Sequence, residues 1–347
     1  MPARKTEAAP SAGALPPSDM RTNQSRRSAR VGLWLGCAAV LFWSFGSSLV
    51  YLGAREAGTW RFVTIASCTA GLLQLCSRGI HYGEVRTALL LPWRLWAGPL
   101  VCFVLYGLAW PWALAAATPR QAGGVNLINY LWPVLTVVFS AWCVPGFRLT
   151  RRIGLALVLA VTGLVCANAT ALQALFSGGA AKPGAGLAQW LPFGLAAVAA
   201  LTWAVYSALL ARWRSWSGKY VTSPVGFMVI GVIGWIILKT SGKRALDLSS
   251  AGLVMTLLYG VGPLAAGYLL WELALARAKI QSLSMVAAAT PLLSTVFLAF
   301  CVRRMPGLEL ATAALLISAG VVLSMRDPQR PIGENQEAMP LMDTDEH

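Results

Sequence analysis

The hydrophobic positions of the chain form ten long, continuous runs that are separated by short polar segments. The runs lie near residues 31–53, 58–78, 95–117, 122–143, 151–170, 187–212, 222–240, 251–276, 281–302 and 307–325. Each approaches the roughly 20 apolar residues that an α-helix needs to cross a hydrocarbon core of about 30 Å. None shows the alternation of polar and apolar positions that is typical of a barrel strand. The pattern therefore predicts an all-α polytopic membrane protein with ten transmembrane helices.

Composition and charge support this prediction and indicate an orientation. Hydrophobic residues make up 57% of the chain and charged residues 12%, about half of the charged fraction of an ordinary soluble domain. The net charge is +15, but Lys and Arg lie in short segments between the apolar runs, which argues against a nucleic-acid partner. The two tails and every second loop contain 19 of the 28 Lys and Arg residues. We therefore expect a multi-pass protein of a bacterial-type inner (plasma) membrane with both termini in the cytoplasm.

Two segments of the chain resemble each other, which indicates an internal repeat. Trp110–Phe139 aligns with Trp271–Phe297 when a gap of three residues is allowed, and Pro133 then pairs with Pro291. Since each half contains five predicted spans, an odd number, the second half must begin on the opposite side of the membrane. The prediction is two inverted five-helix repeats, an arrangement that recurs in secondary transporters. Duplication for stability alone is the alternative.

The repeat and the tails divide the chain into five units. Both tails are poor in large apolar side chains, so burial cannot offset the entropy of ordering them. The units are a disordered cytoplasmic tail at 1–30, a first five-helix repeat at 31–170, a linker at 171–186, a second five-helix repeat at 187–325, and a disordered cytoplasmic tail at 326–347.

Residue types that enzymes and metal sites need are scarce in the predicted spans. The two histidines are His81, in a predicted loop, and His347 at the C-terminus, and the seven cysteines form no Cys-x-x-Cys pair. We therefore expect no metal site, no catalytic residues and no cofactor, and the chain is not expected to be an enzyme. The sequence has no G-x-x-x-x-G-K-[ST] motif, which argues against ATP-driven transport by this chain alone.

One segment carries a family resemblance. Val125–Phe139 reads VNLINYLWPVLTVVF and contains the signature Asn-Tyr-Leu-Trp-Pro at 129–133. Together with ten spans in two five-helix halves, it resembles the drug/metabolite transporter superfamily (EamA-like) and, within it, the YddG-type aromatic amino-acid exporters. The resemblance implies export of amino acids or related hydrophobic metabolites from the cytoplasm. The expected partners are a small-molecule substrate and membrane lipids, and the chain is expected to function as a monomer.

Polar side chains at mid-membrane depth are the first candidates for a binding site, because a polar group that faces lipid is costly. Asn126, Asn129 and Tyr130 follow an i, i+3, i+4 spacing and share one face of the fourth span. Asparagine amides can donate to a substrate carboxylate and accept from an ammonium group. They also form hydrogen bonds between neighbouring helices, and both roles are open.

Aromatic side chains near the centres of the spans are the second set of candidates. Trp and Tyr usually gather at the membrane interfaces, yet several are predicted far from them. These central residues could stack on a substrate and hold an amine by a cation–π contact, or they could pack the core. The candidates are Trp43, Tyr106, Trp110, Trp132, Trp203 and Tyr206.

Glu272 is the one acidic residue deep within a predicted span, and Tyr268 and Trp271 share its helix face. Its carboxylate could bind a substrate ammonium group or take a proton. Alternatively, it pairs with Arg277 or Lys279 near the cytoplasmic end of the span. Because strongly proton-coupled carriers usually need several titratable groups, a single carboxylate makes facilitated export plausible.

The leading hypothesis is a secondary transporter that exports aromatic or other hydrophobic amino acids and related small metabolites. It would work by alternating access around a central aromatic-lined cavity. The main alternative is multidrug or cationic-compound efflux, in which Glu272 and the tryptophans hold the cation. An intramembrane lipid-modifying enzyme is less well supported, because no group of catalytic residues is found at a membrane face. A non-transporting partner subunit is the remaining alternative.

Overall fold

The computed structural model describes residues 17–82, 96–144, 148–169, 187–212, 222–275, 277–278, 283 and 286–325. Within this part of the chain every regular element is helical, which confirms an all-α protein. The α-helices are α1 (Pro17–Ala57), α2 (Thr59–Tyr82), α3 (Val101–Ala116), α4 (Ala122–Asn129), α5 (Trp132–Cys143), α6 (Arg151–Ala167), α7 (Leu191–Arg212), α8 (Ser223–Thr240), α9 (Ser250–Tyr259), α10 (Gly267–Leu275), α11 (Thr290–Cys301) and α12 (Leu308–Met325). A 3₁₀ turn, Leu187–Trp190, precedes α7, and π-helical segments at Trp96–Leu100 and Gly260–Ala266 precede α3 and α10.

Several of these helices are long and apolar enough to cross a membrane. Six helical stretches meet that description, namely Arg27–Ala57, Ala97–Ala116, Ala122–Cys143, Ala188–Leu210, Ser223–Thr240 and Ser250–Trp271. Thr290–Cys301 and Leu308–Ser324 are shorter apolar helices, and α2 and α6 occupy the two remaining predicted runs. The chain is thus a polytopic helical membrane protein. The number of ten spans remains a prediction.

The structure bears on only part of the predicted domain division. Helix α1 begins at Pro17, so residues 17–30, which were assigned to a disordered tail, extend the first helix instead. The rest of that tail, the linker at 171–186 and the tail at 326–347 lie outside the described residues. The boundaries between the two halves therefore stay predictions.

The helices pack in a few extensive pairings. Helix α2 lies along α8, and α6 lies along α12. Helix α1 contacts α9, α10 and α11, while α7 contacts α3, α4 and α5. As a result, α1 and α7 each pack against three helices of the other predicted half, and Trp43 of α1 and Trp203 of α7 contact rings on other helices.

Contacts at one end of the bundle join distant parts of the chain. Arg61 at the start of α2 forms a salt bridge of 3.0 Å with Asp247 in the loop before α9. The hydroxyl group of Ser249 donates to a carboxylate oxygen of Glu56 at 2.7 Å, and the guanidinium group of Arg55 donates to the carbonyl oxygen of Ala117 after α3. This end of the bundle is held together by polar contacts as well as by packing.

The α6–α12 pair depends on glycine at its closest points. A Cβ atom at Gly163 would lie 2.8 Å from the carbonyl oxygen of Ala313, and one at Gly320 would lie 2.8 Å from that of Ala156. Helix association in lipid relies on close van der Waals packing, for which small residues are favoured. Any larger side chain at these two positions must therefore push the helices apart.

We expect Gly320→Val to lower the thermal stability of the purified protein, because overpacking costs about 1–3 kcal/mol. Gly154→Val is the matched control, since a Cβ atom at Gly154 would have no atom of another described helix within 4 Å. The measurement is the melting temperature of both variants in detergent. Equal melting temperatures for the two variants would contradict the close α6–α12 packing.

Candidate functional site

Aromatic side chains from several helices meet at the centre of the bundle around Trp203 of α7. The centroid of its ring lies 4.5 Å from that of Tyr106, 5.1 Å from Tyr206, 6.1 Å from Trp132 and 5.9 Å from Tyr268. The pairs with Trp132 and Tyr268 are edge-to-face, with interplanar angles of 78° and 85°. Aromatic pairs in such arrangements are favourable beyond the area they bury.

Trp43 of α1 extends this group of rings toward α10. Its ring centroid lies 5.7 Å from Tyr268 and 5.3 Å from Trp271. Its indole N–H donates to the carbonyl oxygen of Pro263 at 3.1 Å. Because this donor is already bonded within the protein, Trp43 can offer a ligand the face of its ring but not its N–H.

These rings form one continuous group, which we call the central aromatic cluster. It also contains Phe103 and Phe227, whose centroids lie 5.0 Å apart, and Phe103 lies 5.9 Å from Trp203. Neither phenylalanine was a sequence candidate, because a Phe within an apolar run carries no signal that separates a site from lipid contact or core. The members of the cluster are Trp43, Phe103, Tyr106, Trp132, Trp203, Tyr206, Phe227, Tyr268 and Trp271.

A cavity adjoins the cluster between α2, α3, α8 and the segment from α9 to α10. The cavity is small, about 20 Å³ in volume, which is room for about one water molecule. Trp110, one turn beyond Tyr106, lines it and is 4% exposed. The described residues that line it include none with a charged side chain; those with a polar side-chain group are Ser67, Tyr106, Trp110, Tyr259 and Tyr268. Such a wall suits a ring-bearing ligand without net charge.

Asn126 of α4 belongs to a buried hydrogen-bond network that joins three helices. Its amide nitrogen donates to the hydroxyl oxygen of Ser294 in α11 at 3.0 Å. The Ser294 hydroxyl oxygen lies 3.0 Å from that of Ser47 in α1, and all three side chains are buried. Of the two roles considered for the asparagines, these bonds correspond to contact between helices. Ser47 and Ser294 were not predicted, since small polar residues are common at helix contacts.

Asn129, one turn further along α4, differs from Asn126. It is 3% exposed, and its side-chain oxygen has no hydrogen-bond partner among the residues that the structure describes. Tyr106 of the cluster lies beside its amide group, while Tyr130 is placed next to Ser47 and Ser294. A buried acceptor without a partner costs about 1–3 kcal/mol. Asn129 thus holds an unused acceptor at the edge of the cluster.

Both Pro133 and Pro291 lie just after an interruption of their helices. Between α4 and α5, the N–H group of Leu131 donates to the carbonyl oxygen of Ile128 at 3.1 Å, and before α11 that of Ala289 donates to Val286 at 3.1 Å. Each bond spans three residues instead of four, and each proline then takes the second position of the next helix. Proline suits that position because it lacks an N–H donor.

The role of Glu272 is not decided by these contacts. The residue lies in α10, but its side chain is outside the described residues, as is Lys279. Arg277, the other basic side chain considered for it, donates to the carbonyl oxygen of Leu273 at 2.9 Å. The hypotheses about Glu272 therefore stay predictions.

The Asn126–Ser294 hydrogen bond should be detectable in a double-mutant cycle. We expect Asn126→Ala and Ser294→Ala each to destabilise the protein, with a coupling energy of about 1 kcal/mol between them, because a buried polar group that loses its partner is costly. The measurement is the free energy of unfolding of the two single variants and the double variant in mild detergent. Additive effects would show that the two side chains do not interact.

Comparisons with known proteins extend over most of the chain. No family model matches it. It is 28% identical to the aromatic amino acid exporter YddG of Ancylobacter novellus, over 86% of this chain and 98% of that protein. It is 24% identical to the aromatic amino acid exporter YddG of Salmonella typhimurium, over 83% of this chain and 94% of that one. These relatives confirm the resemblance to YddG-type exporters that Val125–Phe139 predicted.

The fold also matches a solved structure. A crystal structure with 22% sequence identity superposes with a TM-score of 0.58, over 84% of this chain and 95% of that one. At this identity the match supports the fold alone.

Proposed function

We propose that this chain, which resembles YddG-type exporters along most of its length, exports aromatic amino acids and related hydrophobic metabolites from the cytoplasm. The observation that carries the proposal is the central aromatic cluster beside an uncharged cavity. Rings from both predicted halves of the chain meet there, so a substrate bound among them would contact both. The residues proposed to bind substrate are Trp43, Tyr106, Trp110, Asn129, Tyr130, Trp132, Trp203, Tyr206, Tyr268 and Trp271, with Asn126 in support.

The cluster favours substrates that carry an aromatic ring. Its members already contact each other edge-to-face, for example Trp203 and Tyr268 at 5.9 Å. A substrate ring that enters the cluster can replace such contacts with similar ones, each worth about 0.5–1.5 kcal/mol. An aliphatic side chain fills the same space but cannot restore the ring contacts that it disrupts. Aromatic amino acids should therefore be bound better than aliphatic ones of similar volume.

The head group of the amino acid would be recognised by neutral polar groups. The unpaired side-chain oxygen of Asn129 can accept a hydrogen bond from the α-ammonium group, and the nearby hydroxyl groups of Tyr106 and Tyr268 can donate to the carboxylate. A zwitterion has no net charge, so it can be held there without a compensating acidic or basic side chain. This is the reason to prefer amino acids over cations. Among the residues that the structure describes, the wall of the cavity offers no carboxylate for a cation, while the side chain of Glu272 lies outside them.

Two structural observations support alternating access between two inverted repeats. First, α1 of the first predicted half contacts α9, α10 and α11 of the second, and α7 of the second half contacts α3, α4 and α5 of the first. A two-fold relation between the halves would produce such reciprocal contacts. Second, the helix interruptions at 130–131 and 288–289 are equivalent in the alignment of Trp110–Phe139 with Trp271–Phe297. Paired interruptions in the two halves are typical of the substrate site in transporters.

The predicted orientation gives the polar end of the bundle a function. If both termini are cytoplasmic, the contacts Arg61–Asp247 and Ser249–Glu56 lie on the external side. They would have to break when the cavity opens outward, so they would act as a gate. We propose facilitated export down the substrate gradient, with Glu272 as the residue to examine for any coupling to protons.

We expect proteoliposomes that contain the protein to transport tryptophan and phenylalanine, and Trp203→Ala to lower the transport rate at least about tenfold. The expected loss follows from the five ring contacts that Trp203 makes, since large aromatic truncations in binding sites often cost more than 2 kcal/mol. The control is Trp142→Ala, whose side chain is 74% exposed on α5. Uptake of labelled amino acid is measured for equal amounts of folded protein.

The proposal would fail if folded wild-type protein moved no amino acid. If Trp203→Ala and Trp142→Ala transported amino acid equally well, the central aromatic cluster would not be the binding site. A thermal-shift screen with amino acids and cationic drugs gives an independent measure, because a ligand that binds the folded state raises its stability by mass action.

We expect Asn129→Leu to raise the half-saturation concentration for phenylalanine by about tenfold or more. The reason is that hydrogen bonds to charged groups contribute about 1.5–3 kcal/mol, and leucine has no acceptor for the α-ammonium group. Competition by 3-phenylpropionate, which lacks that group, serves as the matched comparison and should change little. Equal loss for both compounds would assign Asn129 to packing instead of recognition.

A further inference from the structure

We infer that Phe103 of α3 sets the size of the substrate side chain that the exporter accepts. This inference rests on the proposed function, because it assigns specificity within the same site. Phe103 is 1% exposed and lines the cavity together with Phe227 and Tyr268. It is thus one of three rings, with Tyr106 and Tyr268, that both line the cavity and contact Trp203.

The ring of Phe103 occupies a site that has aromatic walls on several sides. Its centroid lies 5.0 Å from Phe227, 5.4 Å from Tyr206 and 6.3 Å from Tyr268. The pairs with all three are edge-to-face, with interplanar angles of 74°, 63° and 67°. A substrate ring in this region would need the same neighbours. The space left for it therefore depends on where the Phe103 ring lies.

Gly226 of α8 holds the Phe103 ring in that place. A Cβ atom at Gly226 would lie 2.4 Å from Cδ1 and 2.7 Å from Cε1 of Phe103. These distances are shorter than any real contact, so the ring can rest against α8 only because residue 226 has no side chain. A methyl group there would displace the ring away from α8, toward the cluster and the cavity. A smaller side chain at residue 103 and a larger one at residue 226 should then change the preferred substrate size in opposite directions.

The test compares the wild-type protein with F103A, F103L and G226A in proteoliposomes. The substrates are phenylalanine and 3-(1-naphthyl)alanine, which share a head group and differ in ring size. The measured quantity is the ratio of the naphthylalanine rate to the phenylalanine rate. We expect F103A to raise this ratio about tenfold, the scale on which pocket volume discriminates substrates. F103L should raise it less, and G226A should lower it.

The matched control is F62L. Phe62 is 0% exposed and stacks on Tyr259 at 5.1 Å, but it does not line the cavity. Its truncation should loosen the core without changing the ratio. F103L keeps more of the core packing than F103A does. If F103A does not reach the membrane, F103L and G226A together still test the inference.

Two results would overturn the inference. One is that folded F103L and G226A keep the wild-type ratio to within about twofold, which is less than a single pocket contact usually contributes. The other is that F62L shifts the ratio as much as F103L does. If the wild-type protein itself transports neither substrate, the proposed function fails instead, so the two failures are distinguishable.

Discussion

Backbone N–H and C=O groups inside a bilayer have no water to bond with, so a chain can leave the helical conformation only where protein surrounds it. That constraint limits where irregular backbone and polar side chains can lie in this bundle. The helices are interrupted at 130–131 and 288–289, and both points lie within the bundle. There the Asn126–Ser294–Ser47 network joins α1, α4 and α11. The interruption therefore brings polar side chains to the centre of an otherwise apolar bundle.

Aromatic side chains fill the remaining central volume, and this has a consequence for transport. Trp203 contacts Tyr106 at 4.5 Å and Tyr206 at 5.1 Å, so the rings are packed against each other beside the cavity. A substrate must part some of these rings, which costs their mutual contacts. Only a ligand that restores comparable contacts can do so at low cost. In the proposed function, selectivity for aromatic amino acids arises from the contracted cluster itself.

Much of the architecture was predictable from the sequence, because lipid imposes a simple pattern. A span must be apolar over its whole length, and the helices that the structure describes follow the predicted runs closely. Trp43 and Trp203 were also recognisable, since tryptophan far from the interface is unusual. Their position near the middle of a long run was enough to single them out, and both belong to the central aromatic cluster.

Other features depend on contacts between residues that are distant in the chain, and no local pattern carries them. The partner of Asn126 lies 168 positions away, so its role in joining helices could not be separated from ligand binding. Phe103 and Gly226 each look ordinary within an apolar run, and only the α3–α8 contact shows that one fits against the other. The extension of α1 back to Pro17 was missed because a polar, Arg-rich segment carries no apolar periodicity.

The two interruptions also show how similar breaks in the helices of the two predicted halves can carry different side chains. A proline cannot donate to the carbonyl group four residues before it, which is Asn129 for Pro133 and Ala287 for Pro291. In the second half, the hydroxyl group of Thr290 donates to the Ala287 carbonyl oxygen at 2.6 Å. The aligned residue in the first half is Trp132, whose ring contacts Trp203 instead. At the second interruption, the Thr290 side chain thus bonds the backbone carbonyl group that the proline leaves free. At the first, the equivalent residue makes an aromatic contact instead, and three residues before it lies Asn129, whose side-chain oxygen has no partner among the described residues.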